Sequence, residues 1–101
     1  MTKAEIIDME LYDFFELIAK SNINDMLTIK QTLLGARKEM ISLANAHKKE
    51  MFNFTEKTFD NKKVDEELTY MVHCFALAMY IDKKVELCDR RITDLTPKCF
   101  N

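Results

Sequence analysis

Apolar residues recur at steps of three and four along nearly the whole chain, which is the spacing of one face of an α-helix. The pattern divides into three segments, at about residues 3–20, 24–58 and 61–95. Thr2, Asn24 and Asp60 precede the segments and are the predicted N-caps. The first segment places six apolar residues on one face: Ala4, Ile7, Leu11, Phe14, Phe15 and Ile18.

The third segment has the clearest repeat, with apolar residues at the a and d positions of successive heptads, as in a coiled coil. The a positions are Val64, Met71, Ala78, Val85 and Ile92, and the d positions are Glu67, Cys74, Ile81, Cys88 and Leu95. Only Glu67 is polar. The first half of this segment is apolar on its other sides too, and a helix that is apolar all round needs to be covered all round.

The short turns between the segments predict how the helices pack. A turn near residue 60 makes the second and third helices an antiparallel hairpin, and the turn at 21–24 folds the first helix back along it. With one Gly and one Pro, the chain has little turn chemistry for a β-sandwich or barrel. We therefore predict an all-α fold with a single domain over 1–96 and a C-terminal tail at 97–101.

The first helix is too short to cover the whole hairpin, and we expect it to reach only residues 27–40 and 81–94. The other half of the hairpin then exposes a large apolar surface, for which a homodimer is the simplest cover. Two alternatives are a kink that folds 45–58 back as a fourth helix, and a different protein in the groove. The predicted dimer interface is Met51, Phe52, Phe54, Phe59, Leu68, Met71, Val72, Phe75 and Met79.

The charge of −2 fits neither a strongly basic nor a strongly acidic protein, but the first twenty residues are acidic. Their solvent side carries acidic groups with an exposed Met and Tyr, which suits a basic protein partner. The predicted partner-binding residues are Asp8, Met9, Tyr12, Asp13 and Glu16. We expect a small non-enzymatic regulatory protein or inhibitor that self-associates, binds another protein and needs no cofactor.

Polar residues on the apolar faces are the candidates for chemistry. His47 and Glu50 on the second helix, with Glu67 on the third, could bind a divalent metal, but we interpret them as a polar layer that fixes the helix register. Glu39-x-x-Ser42 and Glu67-x-x-Tyr70 resemble the paired acidic motifs of the MazG-like nucleoside triphosphate pyrophosphohydrolases, which are also all-α. This resemblance implies a magnesium-dependent hydrolase, although Ser42 and Tyr70 replace two of its four acids.

A second alternative is weak nucleic-acid binding. It rests on paired cations such as Arg37-Lys38 and Lys83-Lys84, which solvated helix faces also explain. The longest apolar-rich stretch, residues 68–81, is shorter than the roughly 20 residues that span a bilayer. Three cysteines without C-x-x-C spacing are typical of a reducing compartment, so we expect a cytoplasmic protein without a membrane segment.

Overall fold

The computed structural model describes residues 2–55 and 60–96, and these residues form four helices. They are α1 (Lys3–Asp8), α2 (Leu11–Lys20), α3 (Ile23–Asn53) and α4 (Asn61–Leu95). The two long helices, α3 and α4, pack against each other as a hairpin, and α1 and α2 are short N-terminal helices. The predicted all-α hairpin is confirmed.

The chain divides into two compact units. Unit 1 contains Met1–Ala36 and Ile81–Asn101, so α1 and α2 pack with the first part of α3 and the last part of α4. Unit 2 contains Arg37–Tyr80, which are the second part of α3 and the first part of α4. The short turn at 21–22 joins α2 to the start of α3, and α1 and α2 belong to the unit that contains that end of the hairpin.

The predicted helix over 3–20 is wrong in one respect, since it is two helices. Met9 and Glu10 leave the helical conformation, with ψ of 134° and 152°, and separate α1 from α2. No Gly or Pro causes this break. The carbonyl oxygens of Ile6 and Ile7, in the last turn of α1, instead accept hydrogen bonds from the Lys84 ammonium at 2.8 and 2.6 Å. A tertiary contact thus satisfies carbonyls that a continuous helix would bond internally.

The N-caps largely follow the sequence. Thr2 accepts a hydrogen bond from the Glu5 amide at 3.2 Å, and Asp60 accepts one from the Lys63 amide at 3.1 Å. The predicted cap at Asn24 is wrong, because Asn22 accepts the capping bond, from the Asp25 amide at 2.8 Å. The cap therefore lies two residues earlier than expected and α3 begins at Ile23, one residue before the predicted start at 24, since Asn22 has the same capping chemistry as Asn24.

Helix α3 runs without interruption to Asn53, five residues short of the predicted end at 58. Phe54 and Thr55 continue as a wider helical turn, and the Asp60 amide donates to the Phe54 carbonyl at 3.3 Å. The continuous helix over 45–53 overturns the alternative in which residues 45–58 fold back as a fourth helix. The apolar surface of unit 2 is therefore not covered by this stretch of the chain.

The buried apolar side chains of unit 1 form a small core. This core joins α1 and α2 to the two long helices and consists of Ile6, Phe14, Ile18, Met26, Ile29, Leu33, Ala36, Ile81, Leu87 and Cys88. Two members of the predicted first stripe lie outside this core. Ala4 is exposed, and about half of Phe15 is exposed.

Candidate interaction surface

Unit 2 buries very little of its apolar content. Among its described residues, the only buried apolar side chains are Ala44 and Ala78. Met40, Met51 and Met71 lie along the facing sides of α3 and α4 and are half-buried. Two helices can shield only the strip between them, so the remaining faces of a helix pair stay in water. This thin packing is what the sequence predicts for a part of the hairpin that α1 and α2 do not reach.

Helix α4 carries a second apolar seam beside the one that faces α3. It consists of Leu68, Val72, Phe75 and Met79, at the alternating spacing of four, three and four that defines one helix face. These side chains are 41%, 52%, 39% and 72% exposed. A regular seam of large apolar groups in contact with water is typical of a surface that packs against another protein.

Helix α3 extends this surface with Phe52 and Ile41. They are eleven residues apart, about three turns, so they share a face of the helix. Phe52 is 48% exposed and Ile41 is half-buried. Helical periodicity in an antiparallel pair places this face on the same side of unit 2 as the second seam. We call the six residues together the apolar patch: Ile41, Phe52, Leu68, Val72, Phe75 and Met79.

The opposite side of unit 2 has polar and aromatic contacts between α3 and α4. His47 Nδ1 lies 2.5 Å from Glu67 Oε2, and the His47 ring stacks on Tyr70 with centroids 5.2 Å apart. The Lys63 ammonium lies 5.2 Å from the centre of the Phe54 ring. These contacts join the two helices on the side away from the apolar patch. Tyr70 and Leu43, which lie outside the patch, are also 52% and 47% exposed, but they do not form a continuous seam.

The size of the patch can be estimated from its exposed fractions. With about 200 Å² for one large side chain in an extended chain, the five most exposed members present roughly 500 Å² to water. The largest apolar patch on an ordinary monomer is about 300–600 Å² and is often functional. The patch thus has the size of the largest apolar patch on an ordinary monomer, the kind that is often functional.

The residues predicted for the dimer interface fall into three groups. Phe52, Leu68, Val72, Phe75 and Met79 are exposed members of the patch. Met51, Phe54 and Met71 are half-buried, because they lie on the sides of α3 and α4 that face each other. Phe59 lies outside the described residues.

The polar candidates come together only in part. His47 and Glu67 form a pair, which fits a polar layer between the helices, whereas Glu50 is exposed. Within residues 2–55 and 60–96, no three His, Cys, Asp or Glu side chains form a group that could hold a metal ion.

The positions that resemble the pyrophosphohydrolase motifs are also separated in their contacts. Glu39 and Ser42 line a shallow depression on α3 with Lys38 and Leu43. Glu67 is paired with His47 on the other helix.

The predicted partner-binding face lies in unit 1 and is divided by the break between α1 and α2. Asp8 and Met9 are at the end of α1, and Tyr12, Asp13 and Glu16 are on α2. Tyr12 is 73% exposed and the three acidic side chains are exposed, while Met9 is half-buried. Asp8 acts electrostatically on Lys84, so it has a role inside unit 1 as well as at its surface.

Sequence reasoning missed two inward-facing cations on α4. Lys84 is fully buried, and its ammonium caps α1 and lies 5.6 Å from the centre of the Phe14 ring. Burial lowers the pKa of Lys84, and the nearby Asp8 carboxylate opposes that shift.

Arg91 performs the same task for α2. Its Nε and one terminal nitrogen donate to the carbonyls of Ile18 and Ala19, at 3.0 and 3.1 Å. Cations at helix C-termini satisfy free carbonyls and oppose the negative end of the helix dipole. Lys84 and Arg91 are seven residues apart, and this spacing was the available signal. The pairs Lys83-Lys84 and Arg90-Arg91 each direct one cation inward, which leaves less charge for binding nucleic acid.

A search of the described part of the chain for membrane spans finds no helix with the length and apolar character to cross a bilayer. Comparison of the chain with protein-family models, with curated proteins and with solved structures finds no match.

Proposed function

We propose that this chain is a small non-enzymatic regulatory protein that forms a homodimer through unit 2 and binds another protein through unit 1. The two roles use separate surfaces. The apolar patch takes the second copy, and the acidic face of α1 and α2 takes the other protein. In this proposal the chain works in the cytoplasm as a helical bundle with a coiled-coil seam.

One observation carries the self-association. Among the described residues of unit 2, the buried apolar side chains are two alanines, yet this unit presents a seam of four large apolar side chains at 39–72% exposure. Leaving such a seam in water forfeits the hydrophobic free energy of burial, about 25 cal/mol per Å². An interface between two copies typically buries about 800 Å² on each, of which the five most exposed members of the patch would supply roughly 500 Å².

The acidic face supports the second role. Tyr12 is exposed beside the acidic residues Asp13 and Glu16. An exposed aromatic side chain next to acidic groups suits a binding site for a basic protein partner. Electrostatic attraction would speed the encounter and would weaken as salt increases.

Sedimentation velocity on matched variants tests the self-association. Val72→Glu puts a charge in the centre of the patch at a position that is already half exposed, so the monomer should keep its helices. Tyr12→Glu is the control, because it makes the same kind of change in unit 1. We expect Val72→Glu to sediment as a monomer and Tyr12→Glu as a dimer. Identical sedimentation of Val72→Glu and the wild type would exclude the patch as the interface.

Charge reversal tests the binding of the other protein. Asp13→Lys with Glu16→Lys should reduce recovery of the specific partner from cell extract, whereas Glu66→Lys in unit 2 should not. Asp8 is left unchanged because of its interaction with Lys84. Equal recovery with all variants would rule out the acidic face as the binding site.

A further inference from the structure

The apolar patch and the charges beside it define how a second copy would dock. We propose that α4 of the second copy packs on α3 of the first, around a two-fold axis parallel to the helices, so that Lys49 of each copy meets Asp65 of the other. This proposal rests on the self-association proposed above. Each helix of the resulting four-helix bundle would be antiparallel to its neighbours.

The patch restricts docking to one side of unit 2. On the other side, His47 is engaged with Glu67 and Tyr70, and Lys63 lies over Phe54. A copy placed there would have to displace these contacts, whereas the patch offers apolar side chains already in water. Two symmetric arrangements bring one patch onto another. Either α3 meets α4 of the second copy, or each helix meets its own counterpart.

Charge separates these two arrangements. The α3 part of unit 2 carries four basic and two acidic side chains: Arg37, Lys38, Lys48 and Lys49 against Glu39 and Glu50. The α4 part and its cap carry the reverse: Lys62 and Lys63 against Asp60, Asp65, Glu66 and Glu67. Packing α3 on its own counterpart would bring like charges together, and packing it on α4 brings opposite charges together. Complementary charge therefore favours α3 against α4.

The helix register identifies the pair that would meet. His47 contacts Glu67, so these two residues lie at the same level along the hairpin. Lys49 is two residues beyond His47, and Asp65 is two residues before Glu67, which in antiparallel helices is the same direction along the axis. Because a two-fold axis parallel to the helices keeps these levels, Lys49 would be level with Asp65 of the second copy. Both side chains are exposed and border the patch.

Dimer dissociation constants of charge-reversal variants test this arrangement. We expect Lys49→Glu to raise the dissociation constant about tenfold, because two symmetric pairs change from attraction to repulsion. Lys62→Glu is the matched control, since it gives the same net charge but lies away from the patch edge. Asp65→Lys should also weaken the dimer, and Lys49→Glu combined with Asp65→Lys should return it to within about threefold of the wild type.

The outcomes separate the arrangement from the self-association itself. Tighter dimerisation of Lys49→Glu than of Lys62→Glu would show that α3 meets α3, which overturns the arrangement. Failure of the double variant to recover affinity would overturn it too, and in both cases the dimer would stand. A wild-type chain that stays monomeric at all concentrations would overturn both proposals. Circular dichroism of each variant checks that the helices are retained.

Discussion

The buried Lys84 gives the sharpest test of why the N-terminal segment folds as two helices. Lys84→Met keeps most of the side-chain volume and removes the ammonium that bonds the carbonyls of Ile6 and Ile7. If the account is right, α1 loses its C-terminal cap and its main polar tie to α4. The matched control is Lys83→Met, since Lys83 is an adjacent exposed lysine that forms a 3.6 Å ion pair with Glu86.

The expected magnitude follows from two opposing contributions. A hydrogen bond to a charged group contributes about 1.5–3 kcal/mol, and Lys84 makes two of them to backbone carbonyls. Burial of the ammonium, which lowers the pKa of Lys84, offsets part of this gain. We expect a net loss of about 2 kcal/mol in the free energy of unfolding, or about 10 °C in Tm for a chain of this length.

Urea unfolding followed by circular dichroism measures the difference. Protein concentration must be the same for all variants, because self-association would couple stability to concentration. Lys83→Met should lie within about 0.5 kcal/mol of the wild type. If Lys84→Met were as stable as Lys83→Met, the cap would contribute nothing, and the break at Met9 and Glu10 would need another cause.

Three further predictions concern α2, α3 and the buried thiol. Arg91→Met removes the cation that caps α2, so we expect it to lower the free energy of unfolding by about 1–2 kcal/mol in a thermal unfolding assay. Arg90→Met removes an exposed ion pair with Glu86 and should lower it by under about 0.5 kcal/mol. Equal losses would contradict the capping role of Arg91. Gly35→Ala should stabilise α3 by about 1 kcal/mol, because nothing lies within 4 Å of the added methyl group. Ala46→Gly, the opposite substitution at another exposed position of α3, should destabilise the protein by a similar amount in the same assay. Burial raises the pKa of the Cys88 thiol from 9.0 to about 11. The thiol therefore loses its proton at a higher pH in the folded state than in the unfolded state, and the free energy of unfolding falls as the pH rises above 9. Relative to Cys88→Ala, the wild type should lose about 2 kcal/mol between pH 8 and pH 11, and parallel pH profiles of the two proteins would refute this.

Helical periodicity and capping chemistry were sufficient to predict the hairpin. The 3–4 spacing located α3 and α4, and Asp60 marked the start of α4 because its carboxylate suits a free amide. The short connection at residues 21–22 then predicted that α1 and α2 pack beside the start of α3. Unit 2 consequently consists of two helices and has a thin core. The apolar patch follows from the same reasoning, since Val72 and Met79 have no third helix within unit 2 to cover them.

Tertiary contacts account for what the sequence did not show. The break at Met9 and Glu10 depends on Lys84, which is distant in sequence and looks like an ordinary exposed lysine in a charged stretch. The inward position of Arg91 was hidden in the same way by its exposed neighbour Arg90. Local propensity cannot identify such residues, because their conformation is set by carbonyls that become available only after the helices pack.

We propose that a second copy of the chain covers the apolar patch of unit 2. Light scattering over a concentration series measures the molar mass of the intact chain in solution most directly. A homodimer should give about 24 kDa, twice the 11.9 kDa of one chain, falling toward the single-chain mass on dilution. A constant 11.9 kDa up to the highest concentrations reached would contradict it.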